Sequence, residues 1–312
     1  MTIFGWTQFV QGSFGLIEDR PYIAQHLSQR RSGGEISRLL QREIGKAWGS
    51  RSIHEITKRD VVEVIAAIEQ RGAPIAANKT LKTLKTFLRW CVGRAVLDQS
   101  PADGVPSPAK EISRDRILAD DELARVIIAA RKTGGPDGGI VELLTLTAQR
   151  REEVARITSD EFDIEQGIWT LPKSRTKNGK PHIVHLSNEA VIVLNKANRI
   201  KTFVFSFDGT KPFGDFGRAK RKLDELSGVT GWRLHDLRRT CVSGMARLGV
   251  APHVADKILN HQSGTISGVA AVYQRHEFLA ERRAALDLWG AHVAGLLKEA
   301  PPGRRIDLRI VV

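Results

Sequence analysis

RLHDLRRT, residues 233–240, is the most informative stretch of this sequence. It sets His235 and Arg238 three positions apart, with Arg239 beside them and Leu234 and Leu237 at the same spacing. On a helix such residues share a face, so the leucines can anchor the turn in a core while His235 and Arg238 project together. Asp236 suits the positive end of a helix. The stretch therefore predicts the start of a helix over 235–248. A His beside a guanidinium near a helix N-terminus can hold an anionic group and move a proton near it. Taken alone, an exposed basic turn would give the same pattern.

Further basic positions shift the weighting. TAQRREEV ends an apolar helical pattern with Arg150 and Arg151 and places Glu153 three residues after Arg150. An Arg at the end of an apolar helix needs a counter-anion, either Glu153 or a bound phosphate. GIWTLP and PHIVHLS read as short strands flanking KSRTKNGK, whose Asn178-Gly179 pair is a hairpin signal. Lys177 and Lys180 both sit at that tip. ILNHQ places His261 after a short helical pattern at 252–260, and VAAVYQRHEF contains Tyr273, one of two tyrosines in the chain. A lone Tyr among Ala and Val is usually a packing residue.

The remaining sequence is helical in pattern. EITKRDVVEVIAAIEQRG offers Thr57 as N-cap, Asp60 at the capping-box position and Gly72 past the end. ANKTLKTLKTFLRWCVGRAV carries an apolar stripe of Leu81, Leu84, Leu88 and Cys91 beside a basic stripe of Lys79, Lys82, Lys85 and Arg89. The first stripe should pack. The second could track a phosphate backbone or simply face water. Residues 98–117, with Pro101, Pro106 and Pro108, read as an interdomain linker. Beyond it Asp120 is expected to cap a helix, a Gly-rich turn is expected at 133–139, and IVELLTLTAQR should be a buried helix. Helical patterns follow at 187–199, 214–227 and about 276–298.

Totals narrow the classes. A chain of 312 residues with 41% hydrophobic content can bury two cores. No window approaches about 18 consecutive apolar residues, and MTIFGWTQFV lacks a basic n-region, which argues for a cytoplasmic protein away from membranes. Cys91 and Cys241 are too few for a disulfide framework and lie outside any Cys/His cluster. His182 and His185 are placed by strand alternation on opposite faces, so no metal is expected there. Gly209, Gly214 and Gly217 lack the strand–loop–helix setting of a nucleotide loop. A net charge of +13 makes nucleic acid the leading partner, because Lys and Arg release counterions when they neutralise phosphates.

The ordered series Arg150, Lys177, His235-x-x-Arg238, His261, Tyr273 resembles the active-site signature of the tyrosine recombinases, the phage integrase family. TAQRREEV, TKNGKPHIVHLS, HDLRRT and LNHQSGTISGVAAVYQRHEF are especially similar to prophage and genomic-island integrases, over roughly residues 115–290. Two departures are Ala148 and Asn260, where the family usually or often has Gly. The family's N-terminal arm-binding domain finds no counterpart, so the chain is expected to be a short member or one lacking that part.

The resemblance implies a mostly α fold with a small β-sheet: a helical core-binding domain at 1–110, a mixed α/β tyrosine-recombinase catalytic domain at 111–298, and a C-terminal tail at 299–312. Together the two domains would form a C-shaped clamp around duplex DNA. It implies a site-specific recombinase that cleaves and rejoins DNA through a 3′-phosphotyrosyl bond, integrating or excising a mobile element without cofactor or metal. Tyr273 would be the nucleophile, Arg150 and Arg238 the phosphate clamp, and Lys177 the general acid, with Lys180 second choice. His235 would accept a proton near Tyr273, His261 would donate to the phosphate, and Glu153 would orient Arg150. Lys79, Lys82, Lys85 and Arg89 would contact DNA. Implied partners are double-stranded DNA attachment sites, a homo-tetramer on DNA, and a directionality or host DNA-bending factor. Phe278, Leu279, Leu286, Trp289 and Val293 would be available for a partner, and the C-terminal segment is expected to dock on the neighbouring protomer, with packing in the chain's own core as the alternative. The rivals are a type IB topoisomerase-like relaxing enzyme and a catalytically silent DNA-binding regulator.

Overall fold

The computed structural model describes residues 22–30, 32–49, 51–112, 114–176, 178–197, 202–261 and 276–299. By its internal packing the chain separates into two compact units, Met1–Arg114 and Asp115–Val312.

The first unit is helical among its described residues. α1 (Gly33–Leu40) runs on through a π-helical stretch, Gln41–Gly45, and a further turn, Lys46–Trp48. α2 (Lys58–Gln70) starts at Thr57, whose hydroxyl accepts from the Asp60 N–H at 3.3 Å while Asp60 accepts from the Thr57 N–H at 2.8 Å. This is the expected capping box, in which two otherwise unpaired donors are satisfied reciprocally. Past the end of α2, Gly72 takes the left-handed backbone, φ 76°, that glycine adopts without steric cost. α3 (Pro74–Gly93) has Pro74 in its first turn, where a missing N–H costs nothing. Leu81, Leu84, Leu88 and Cys91 are all buried in the core with Leu40, Ile44, Trp48 and Ile65, as their spacing predicts. Each such side chain contributes about 1.5–3 kcal/mol on burial.

The basic stripe of α3 divides. Lys79 pairs with Glu35, and Lys85 Nζ donates to the Val105 carbonyl at 2.5 Å, bracing the segment that follows the helix. Lys82 and Arg89 are exposed.

The second unit packs α4 (Asp120–Thr133), α5 (Gly135–Thr147), α7 (Asn188–Lys196), α8 (Phe216–Ser227), α9 (Leu234–Arg247), α10 (Pro252–Ile258) and α11 (Leu279–Glu299) around one core, with the short α6 (Arg151–Ala155) after α5. A small antiparallel sheet, β1 (Phe162–Asp163), β2 (Ile168–Leu171) and β3 (His182–His185), lies in that chain order. β2 and β3 pair Ile168 with His185 and Leu171 with His182, which closes the expected hairpin over 172–181. The whole is mostly helical with a small sheet, as the sequence implied.

Three expectations need correction. Ala119, not Asp120, is the N-cap of α4: Glu122 accepts from the Ala119 N–H at 2.9 Å, and Asp120 pairs instead with Arg247. The turn expected over 133–139 is shorter, because α5 already begins at Gly135, with Pro136 placed where a helix start tolerates it. His182 and His185 of β3 are both buried, a point on which strand alternation alone is silent. Leu286, Trp289 and Val293 of α11 are buried in this unit's own core rather than offered to a partner, whereas Leu279 stays exposed. No described helix is long and apolar enough to cross a membrane.

Candidate active site

Arg238 is the centre of the site. Leu237 and Cys241, fully buried on α9, set the helix against the core, and the same helix carries Arg238 inward until it is only 6% exposed. A buried guanidinium needs acceptors for its donors. Here two helix ends supply them, because the last carbonyls of a helix have no intrahelical partner. Nη1 donates to the Ala148 carbonyl past the end of α5, and Nη2 donates to the Leu259 carbonyl past the end of α10 at 2.7 Å. Both carbonyls lie at the negative poles of their helices, which favours a cation there. Burial, then the neighbouring Arg150, lowers the Arg238 pKa to about 10, so it is charged at neutral pH.

Each approach to Arg238 is shaped locally. Ala148 ends α5 in the left-handed region at φ 55°, turning the chain so that Arg150 leaves it as the N-cap of α6. Arg150 Nη1 and its own N–H reach the two oxygens of Glu153, both at 3.0 Å, and Glu153 is buried. The Glu153 carboxylate therefore holds Arg150 in one orientation. Between Ala148 and Arg150 in sequence, Gln149 is buried and donates through Nε2 to the Ile258 carbonyl at 3.0 Å. His182 on β3 reaches the same carbonyl through Nε2 at 3.1 Å. The C-terminus of α10 thus gathers α5, α9 and the sheet.

His261 follows directly. Its Nε2 lies 3.4 Å from Arg238 Nη2 and its Nδ1 lies 3.5 Å from Asp256. Since a guanidinium only donates, Nε2 is the acceptor in this contact. Burial and then Arg238 lower the His261 pKa, against the opposing pull of Asp256. On the first turn of α9, His235 is also lowered, by burial and then by Arg239 and Arg238. Both imidazoles are accordingly neutral at pH 7, in a cationic field to which Arg150 also contributes.

The described residues therefore bring Arg150, His235, Arg238 and His261 together, with Glu153 behind Arg150. Lys177 and Tyr273 lie outside the described residues, as does the tail beyond Glu299. Lys180 lies in the described part of the hairpin turn, exposed, and its N–H donates to Asn178 Oδ1 at 3.1 Å. Lys79, Lys82, Lys85 and Arg89 belong to the first unit and lie on α3.

Sequence reasoning passed over three supporting residues. Gln149 was hidden as an apparent helix terminus. Arg175, within the hairpin, pairs with Glu161 and donates to the Glu153 carbonyl, so it ties the sheet to α6. Asn260, noted only as a departure from Gly, adopts φ 52° and accepts from Asn178 Nδ2 at 2.6 Å. An Arg inside a short hairpin was the one available signal for Arg175; nothing local announces the other two.

The chain is similar to several known proteins. The chain is 24% identical over 282 residues to the prophage integrase IntA of Escherichia coli K12, covering 86% of this chain and 66% of that protein. It is 27% identical over 151 residues to the tyrosine recombinase XerD of Bifidobacterium longum, covering 45% of this chain and 48% of that protein. The chain therefore spans about two thirds of the prophage relative and about half of the other. Among solved structures, a lambda integrase dimer bound to a COC′ core site superposes with a TM-score of 0.65 at 16% identity, over 88% of this chain and 81% of that one. A lambda integrase tetramer bound to a Holliday junction gives the same TM-score at 15% identity, over 84% and 81%. The phage integrase central domain matches residues 20–106, and the phage integrase family matches residues 116–278, the stretch that holds the whole arginine–histidine cluster. Since that second match alone takes in more than half of the sequence, the chain belongs to the phage integrase family, the tyrosine recombinases.

Proposed function

We propose that the chain is a site-specific DNA recombinase that cleaves and rejoins duplex DNA through a covalent 3′-phosphotyrosyl intermediate, integrating or excising a mobile element. The observation that carries this reading is the cationic cluster itself. Arg238 is fixed by two main-chain carbonyls, Arg150 by a buried carboxylate, and two neutral imidazoles stand in their field. Such a cluster is preorganised for an anion on which charge builds up during reaction, where one fixed donor is commonly worth ~3 kcal/mol.

In this mechanism the Tyr273 oxygen attacks the scissile phosphorus. The new bond joins phosphorus to Tyr273; the bond that breaks joins phosphorus to the 5′-oxygen of the next nucleotide. A free tyrosine has a pKa of about 10, so a neutral His235 is suited to take its proton. Arg150 and Arg238 stabilise the non-bridging oxygens of the phosphorane. Lys177, or Lys180 beside it in sequence on the same hairpin, protonates the departing 5′-oxygen. His261 accepts from Arg238 in the free protein, and an arriving phosphate would compete for that guanidinium and favour the protonated, donating ring. The phosphotyrosyl bond retains the energy of the phosphodiester, so a 5′-hydroxyl can reseal it without ATP.

The reading extends to partners. Double-stranded attachment sites would be bound by the chain as a homo-tetramer, with Lys82 and Arg89 on α3 contacting backbone, and a directionality or DNA-bending factor would set the outcome. The first test uses nicked duplexes recovered by covalent capture from a random-sequence pool, incubated with the chain in EDTA and run on a denaturing gel. A covalent protein–DNA band that is present for the chain and missing for Tyr273→Phe is the expected result. DNA binding with no band on any duplex would reduce the proposal to a silent binding protein.

A further inference from the structure

The left-handed backbone at Asn260 is cheapest for glycine, which has no side chain to clash. The chain instead places an amide there, and the amide is used. Its Oδ1 accepts from Asn178 Nδ2 at 2.6 Å, across 82 residues of sequence. Asn178 is fixed in turn, because its Oδ1 accepts from the Lys180 N–H at 3.1 Å, which leaves its Nδ2 to face Asn260. The same turn is closed from below by buried Thr176, whose hydroxyl donates to the Lys180 carbonyl at 2.6 Å. At the other end, Asn260 stands between Leu259, whose carbonyl holds Arg238, and His261, whose ring meets Arg238. Its own Nδ2 is buried and has no partner among the described residues, so this amide's side-chain bonding is concentrated in the one contact to the hairpin.

We propose that Asn260 is a positioning residue that ties the lysine-bearing hairpin turn to the Arg238–His261 group through Asn178, and so fixes the proton donor relative to the phosphate site. The bond itself is independent of any activity; its chemical consequence rests on the recombinase reading. Protonation of a leaving oxygen depends steeply on placement, and a shift of about 1 Å can cost ~100-fold. Without the Asn178–Asn260 bond, the turn would keep its internal closure and lose its registration against the arginines.

The test compares the full chain with Asn260→Gly, which retains the positive φ and removes only the amide. The probes are a captured nicked duplex in two forms, with oxygen or with sulfur at the 5′-bridging position of the scissile phosphate. A thiol leaving group, with a pKa of about 8.5, departs without a general acid. The expected result is cleavage slowed tenfold or more on the oxygen duplex and within twofold of the unaltered chain on the sulfur duplex. Asn178→Ala, which also removes the acceptor of the Lys180 N–H, should slow cleavage of the oxygen duplex at least as much, and the double variant should be no slower than Asn178→Ala alone. Equal slowing on both duplexes, or no slowing, overturns the positioning role while the recombinase reading stands. Failure of the unaltered chain on both duplexes overturns the recombinase reading and this role together. NMR of the Asn178 side-chain amide without DNA checks the bond separately: its Nδ2 protons, which donate to Asn260, should exchange faster in Asn260→Gly, and unchanged exchange overturns it.

Discussion

At the scale of single residues, the unusual feature of this site is how many of its polar groups are buried. His182 is the clearest case. Burial, and then Arg282, push its pKa down to about 3, and burial with Arg283 pushes His185 down to about 4. Both imidazoles are neutral in the folded chain, while in the unfolded chain they take up protons near the ordinary value of 6.5. Below that value the unfolded state binds more protons, so folding stability is fully present above it and is lost as pH falls toward the folded values. Each His contributes a slope of about 1.4 kcal/mol per pH unit in that window. Urea unfolding at pH 7 and pH 5 should therefore show a loss of about 2 kcal/mol for His182 alone, and His182→Gln should shrink the difference. An identical pH dependence in that variant would mean that the ring is hydrated in solution. Legibility also differs residue by residue. Arg150, His235, Arg238 and His261 stood out as polar residues at helix ends, and their grouping into one site came from the family resemblance. Gln149 and Asn260 did not stand out, since their partners lie 109 and 82 residues away and only the folded chain brings them close.

At the scale of elements, the packing of α9 against α11 decides how firmly Arg238 is held. A Cβ placed on Gly244 would sit 2.1 Å from Trp289 Cζ3, and Trp289 is fully buried with its indole N–H on the Thr145 carbonyl at 2.8 Å. The ring cannot yield without losing that bond. Gly244→Ala is therefore expected to cost about 3 kcal/mol, at the upper end for overpacking. That cost should lower the unfolding midpoint of the second unit by roughly 6–12 °C in a calorimetric scan. A midpoint unchanged within about 2 °C would show that α9 and α11 can separate freely. The amphipathic pattern of α11 told that one of its faces is covered; it could not tell by what. Hydrophobic periodicity specifies an apolar stripe, and a neighbouring helix of the same chain or of another satisfies it equally. Helix starts suffered similarly. Three consecutive acidic residues, Asp120, Asp121 and Glu122, all suit a first turn, and only the backbone bond from Ala119 to Glu122 sets the register.

At the scale of the molecule, charge is the dominant fact, and composition alone made it visible. A net charge of +13 is expected to give duplex binding that falls by about three orders of magnitude between about 50 and 200 mM monovalent salt. Titrations across that range also separate a working α3 face from a merely solvated one. Lys82→Ala should reduce the slope of log affinity against log salt by about 1 if the side chain meets a phosphate, and leave it unchanged if it does not. Composition could not say where the charge is spent, since Lys79 and Lys85 are already engaged within the first unit. Arg238 presents the opposite arrangement, being held by carbonyls of Ala148 and Leu259 that every amino acid at those positions would carry. Its aim thus depends less on the identity of those two side chains than on where two helices stop. Replacing the side chains at the two supporting positions would leave such a clamp in place so long as both helix ends stay where they are.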